Sequence, residues 1–126
     1  MTDAEAAALF ERRRSAWVDG DVDAYLALWH PDVEFASPVH DPPIRGRAAY
    51  AALVHRSHET VRPVAFEVHA LAVRGALVLA EWTITIARRA DDRMVSWHGM
   101  SRCELRDGLI VSWREYWNPA ELAAAG

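Results

Sequence analysis

Residues 63 to 117 hold four long runs in which apolar and polar side chains alternate, and this leaves few folds open. "PVAFEVHALAV" and "ALVLAEWTITIA" flank Arg74-Gly75, and "MVSWHGMSRCEL" and "LIVSWREYW" flank Asp107-Gly108. Period-two alternation on either side of a tight glycine turn is the pattern of an antiparallel hairpin. The segment "RRADDR" joins the two pairs. Four such strands share one apolar face, and the first half of the chain must cover it.

That first half reads as helical. Thr2 and Glu5 form a capping box, and Leu9, Phe10 and Trp17 follow on one stripe with Arg13 and Ala16 beside them. Gly20 closes this helix. Asp21 caps a second one through Tyr25, Leu28 and Trp29, which Pro31 ends, with His30 as a helix-end cap. "DVEFAS" reads as a short strand and "PVHDPPIRG" as a proline-rich loop. A third helix from Gly46 places Tyr50, Leu53, Val54, Ser57 and Val61 at helical spacing. The expected fold is α+β: a curved, mostly antiparallel sheet with three helices from the N-terminal half on its concave side. The 126 residues fit a single domain, 1–126, with one core.

Composition excludes several classes. Net charge is −4 and the nearest thing to a basic cluster is Arg12-Arg13-Arg14, which Glu11 precedes; this argues against nucleic acid as a partner. The best apolar run, "LAVRGALVLAEW", is broken by Arg74 and Glu81, so no membrane span is expected. The N-terminus carries acids where an export signal needs bases, and a cytoplasmic location is expected. The one cysteine, Cys103, excludes an internal disulfide and a thiolate metal cluster.

Alternation also sorts the faces. Ala80, Trp82, Ile84 and Ile86 share the inward side with Val95, Trp97, Gly99, Ser101, Cys103 and Leu105. Leu109, Val111, Trp113, Glu115 and Trp117 continue it, while Ile110, Ser112, Arg114 and Tyr116 face out. Glu115 therefore belongs to an apolar register, between two tryptophans. An acid there is costly unless it is paired, solvated or useful. An apolar hollow with a few polar groups is the usual composition of a small-molecule site.

Four motifs in order, Trp17-x-x-Gly20-Asp21, "LWHPDVEFASP", "IRG" and "LRDGLIVSWREYW", resemble the nuclear transport factor 2-like superfamily, in particular its SnoaL-like branch. The resemblance implies a cone-shaped barrel with an internal pocket, often a homodimer through the outer face of the sheet. It includes polyketide cyclases, ketosteroid isomerase, limonene epoxide hydrolase, dehydratases and many non-enzymes, so fold does not settle function. "SWREYW" is similar to the final strand of limonene epoxide hydrolase, and Glu115 falls where that enzyme has its acidic proton donor. Trp82 and Ile84 fall where it has an Arg and a second Asp. Phe35 and Ser37 take the places of its Tyr and Asn. Ser37-Pro38 matches the isomerase's Asp-Pro base, and Arg13 falls at its phenolic donor.

These positions give the candidate residues. Glu115, Arg13, Ser37 and His58 are catalytic candidates, with Glu115 transferring a proton and Arg13 stabilising negative charge. Trp17, Phe35, His40, Trp82, Ile84, Trp97, Ser101, Trp113 and Trp117 are candidates for substrate binding. Bland readings stand beside them. Glu115 is a structural acid paired with Arg13 or with indole N–H groups, Arg13 snorkels to solvent, and the tryptophans are core. Neither metal nor other cofactor is expected; the one weak metal candidate is His55 with His58. The expected function is a cofactor-free enzyme of the cyclase, isomerase or epoxide-hydrolase kind, acting on an apolar or polycyclic molecule. The alternatives are a binding protein for such a molecule or a dimeric interaction module. A homodimer is expected through the strand face that carries Thr83, Thr85, Met100, Ile110 and Tyr116.

Overall fold

The structure, a computed structural model, describes residues 1–125. Its elements run α1 (Asp3–Val18), α2 (Val22–Leu26), β1 (Trp29–Ser37), β2 (His40–Arg45), α3 (Arg47–Thr60), β3 (Val61–Arg74), β4 (Leu77–Arg88), β5 (Met94–Arg106), β6 (Leu109–Trp117) and α4 (Pro119–Ala125). The six strands form one curved, unclosed sheet in the order β2-β1-β6-β5-β4-β3. Every neighbouring pair is antiparallel except β1 with β6. The α+β reading holds, with a curved sheet and helices drawn from the N-terminal half.

Local chemistry explains the helix ends. The Thr2 hydroxyl accepts the Glu5 N–H at 3.1 Å and the Glu5 carboxylate accepts the Thr2 N–H at 3.0 Å, the reciprocal bonds of a capping box. Asp21 caps α2 by accepting the Ala24 N–H at 3.1 Å. Gly20, past the end of α1, has φ +70°, a left-handed conformation that glycine adopts without strain.

Several boundaries differ from the sequence reading. α2 stops at Leu26, and Trp29, His30 and Pro31 already belong to β1. His30 is therefore no helix cap; its Nδ1 accepts the Asp32 N–H at 3.0 Å. The proline-rich segment is a strand, β2, because it lies at the sheet edge, where Pro42 and Pro43 lack only N–H groups that no neighbour needs. Val61 opens β3 instead of closing α3. A fourth helix, α4, follows Asn118, whose side chain accepts the Ala120 N–H at 3.0 Å. Ile110 faces inward and is fully buried, because a register shift between Glu104 and Leu105 turns the start of β6 over. Among the described residues no helix is long and apolar enough to cross a membrane.

The core lies between the sheet and α1 to α3. Trp29, Trp82 and Trp113 are fully buried in it with Phe66 and Leu9. Trp29 sits in an aromatic nest, its ring centre 4.5 Å from that of Tyr50, 5.5 Å from Trp113 and 5.6 Å from Tyr25. Such tilted contacts add to the area that each ring buries. Below them, Gly99 leaves room for Trp82: a Cβ at this position would stand 2.6 Å from the indole ring.

Candidate functional site

Above the aromatic core a cavity of about 340 Å³ opens between the sheet and the helices. It is within the usual range for small-molecule sites. Its wall is mostly apolar: Leu53 and Val54 from α3, Ile84 and Ile86 from β4, and Phe35 from β1. Polar groups are few, and they come from α1, α2, α3, β6 and the β1–β2 hairpin.

Glu115 enters from β6. Inward alternation would leave its carboxylate among indoles, and two of those indoles hold it. Trp113 Nε1 donates to one oxygen at 2.9 Å and Trp117 Nε1 to the other at 3.1 Å. Residues i−2 and i+2 of a strand share a face with residue i, so the sequence spacing sets both indoles beside the acid. Burial raises the carboxyl above its ordinary value of 4.5, against the charge of Arg13 and the two indole bonds, which pull it down.

Arg13 is buried at 4% exposure on α1 and borders the same cavity. It does not snorkel. Its guanidinium carbon stands 4.3 Å from the centre of the Phe66 ring, 4.6 Å from Trp113 and 5.6 Å from Tyr25. Each desolvated cation–π contact of this kind contributes on the order of 1–2 kcal/mol. Nε and Nη1 are buried with no hydrogen-bond partner, and Arg13 makes no ion pair with Glu115. The expected alternative of a closing Arg13–Glu115 salt bridge is replaced by the indole clamp; the two groups interact only through space.

Further polar groups face the cavity, among them Ser57 of α3. The Tyr25 and Tyr50 hydroxyls, from α2 and α3, are 2.7 Å apart. Burial raises both phenols, and Tyr50 the more strongly. Either hydroxyl can donate in this bond, which leaves the other's proton for a further acceptor. Ser37 Oγ lies 2.7 Å from His40 Nδ1, joining the end of β1 to the start of β2, and accepts the Val39 N–H at 3.2 Å. Burial lowers the imidazoles of His40 and of His58 on α3, the latter helped by the charge of Arg89.

Of the sequence candidates, Glu115, Arg13, Ser37, His58, Trp17, Phe35, His40, Ile84, Trp97 and Trp117 line the cavity. Trp82, Trp113 and Ser101 do not. They are on the inward face but one layer deeper, where the Trp82 Nε1 donates to Ser101 Oγ at 3.0 Å and Trp113 backs the Glu115 clamp. Alternation gives the side of a sheet but not the depth. Tyr25, Tyr50 and Ser57 were the polar lining residues left unassigned to the site, although all three stand on the helical stripes read for α2 and α3. Leu122 of α4 also reaches the cavity. His55 is exposed, and among the described residues no group of three or more His, Cys, Asp or Glu comes together as a metal would need.

Residues 9–113 match the family of SnoaL-like domains. No curated protein matches the chain. Among solved structures, an LEH-like epoxide hydrolase of M. tuberculosis is similar at 25% identity and TM-score 0.82, over 97% of this chain and 89% of that one. A candidate polyketide cyclase of Xanthomonas campestris pv. campestris is similar at 26% identity and TM-score 0.81, over 97% and 96% of the two chains. A candidate isomerase of Bacillus subtilis shares the fold at 21% identity and TM-score 0.85, over 99% and 95%.

Proposed function

Because the chain belongs to the family of SnoaL-like domains, which it matches over residues 9–113, we propose that it is a small-molecule enzyme of the cyclase, isomerase or epoxide-hydrolase kind. One observation carries this reading. A carboxyl group with a raised pKa is fixed by two indole donors on the wall of an apolar cavity. An acid with only a structural part to play could accept the same two indole bonds, but it would be closed off from the cavity or paired with the nearby cation. Glu115 is instead oriented and left facing the hollow.

In this mechanism Glu115 exchanges a proton with the bound molecule. Its two indole bonds fix both oxygens, so the remaining lone pairs point along set directions. The Tyr25–Tyr50 pair offers an O–H to a substrate oxygen, and Arg13 supplies positive charge where negative charge gathers. Trp17, Trp97 and Trp117 shape the cavity and exclude water. The acid–base groups needed for such a step all belong to the chain itself, and the protein would act in the cytoplasm without a cofactor. Trp82 and Ile84 stand where an epoxide hydrolase of the limonene type has its Arg and second Asp, which favours proton-shuttling isomerisation or cyclisation over water addition.

The test is a turnover screen. The protein is incubated with small apolar epoxides, enolisable ketones and cyclisable polyketide-like esters, and products are followed by mass spectrometry. On any substrate found, Glu115→Gln should lower kcat by roughly 100-fold or more, the usual weight of a proton-transferring side chain. Undiminished turnover in that variant would remove Glu115 from the mechanism. Saturable binding without turnover across the panel would favour a ligand-holding role instead.

A further inference from the structure

Resting on that reading, we infer that the molecule the cavity takes is an organic acid, with an apolar ring body against the tryptophans and an anionic carboxylate received by Arg13. The cation is 4% exposed and borders the cavity. Two of its nitrogens are buried without an acceptor. No carboxylate of the described residues pairs with it: Glu115, the acid of the same cavity, gives both oxygens to Trp113 and Trp117. A buried charge normally has a partner, and a planar guanidinium best matches a planar carboxylate. The aromatic faces of Phe66, Trp113 and Tyr25 stabilise the cation but accept no conventional N–H···O bond. The partner that the fold omits is therefore supplied by the ligand.

This assigns Glu115 its direction. The charged or titratable groups around it are Arg13 on α1, Tyr25 on α2, Tyr50 and His58 on α3, and His40 on β2. Arg13 is the one that lowers the Glu115 carboxyl, and an anion placed on Arg13 cancels that effect. Bound substrate therefore pushes the Glu115 carboxyl further in the direction its burial already takes it, towards the proton-donating form. Binding of the acid is then coupled to proton uptake.

The probes are 2-naphthoate and its neutral counterpart 2-naphthamide, both small enough for a cavity of about 340 Å³. Isothermal titration of the whole protein should show naphthoate binding at least tenfold more tightly, about 1.4 kcal/mol. Repeating the titration over a pH series from 4.5 upward, in two buffers of different ionisation enthalpy, should reveal proton uptake with naphthoate within that series and none with naphthamide. Arg13→Met should bind the two probes equally. Should that variant not fold, Arg13→Lys, which keeps the charge but not the planar fork, should narrow the preference. Glu115→Gln should keep the preference and lose the proton uptake. Equal or tighter binding of the amide, no naphthoate binding at millimolar concentration, or a full preference in Arg13→Met would overturn the inference. Because these readouts are of binding, they separate it from the proposed catalysis: a preference for naphthoate without turnover would leave the acid site standing and remove only the enzyme reading.

Discussion

Glu115 shows how two residues of the same type can do different work by their depth alone. Trp113 and Trp117 both donate to it, yet Trp113 is fully buried and Trp117 lines the cavity. A glutamine at 115 has one accepting oxygen and one donating amide, so it can satisfy only one of the two indoles. Glu115→Gln should therefore lose about 1–3 kcal/mol at low pH, where wild-type Glu115 is neutral too. The difference should shrink as pH rises. The folded carboxyl titrates above its ordinary value of 4.5, so between the two values the folded state holds more protons than the unfolded one. Wild-type stability from this group must then fall with rising pH across that window, and the variant must lack the slope. Chemical denaturation at a series of pH values measures it; a wild-type contribution that rises through the window would contradict the raised carboxyl. Cys103 gives a second residue-scale expectation. Burial pushes its thiol up to about 12, so a thiol reagent at pH 8 should label the folded protein far more slowly than the unfolded one. That the acid belonged to an apolar register was legible from alternation. That its partners are indoles and not Arg13 was not, because sequence spacing fixes a side chain's face but not the rotamer it adopts.

Among the elements, the long hairpins were the most legible. Each joins strongly alternating runs through a glycine turn, and Gly75 and Gly108 indeed have φ of +61° and +77°. β2 was hidden because two prolines look like a loop unless one knows that the strand lies on an edge. α4 was hidden because its alanines carry no apolar stripe, although Asn118-Pro119 is a recognisable cap and first-turn pair. The helix is short, and it matters because Leu122 reaches the cavity. The Glu121 carboxylate accepts the His98 N–H at 3.1 Å, which ties α4 to β5. Glu121→Ala should loosen this side of the cavity and speed ligand release, and Asn118→Ala should cost about 1 kcal/mol of stability through the lost cap. Stopped-flow dissociation of naphthoate checks the first; an unchanged off-rate would mean that α4 does not control the exit. Gly99→Ala should be worse than either, because the added methyl meets the buried Trp82 ring and the Tyr116 backbone oxygen, 2.6 and 3.1 Å away, and neither has room to move.

For the molecule as a whole, the outer face of the sheet leaves Leu79, Met100 and Tyr116 exposed at 42%, 48% and 57%, and Met100 and Tyr116 are direct cross-strand partners. We expect this face to join two copies of the chain, with Ile110 removed from the contact because it is buried in the core. Light scattering should give about twice the 14.1 kDa of one chain, and Tyr116→Glu should halve the mass while leaving each copy folded. A monomer at micromolar concentration would refute it. The order of the sheet has another outcome, for the making of the protein. β6 is the last strand along the chain but lies between β1 and β5 in the sheet, and its pairing with β1 is the parallel one. During synthesis, β1 and β2 therefore wait for residues 109–117 before they can join β3 to β5. Glu115 arrives on that same strand. A chain stalled on the ribosome before residue 109 thus has neither a continuous sheet nor the acid. The step that seals the fold is the same step that brings the acid to the cavity, so no half-made copy can carry out the proposed chemistry.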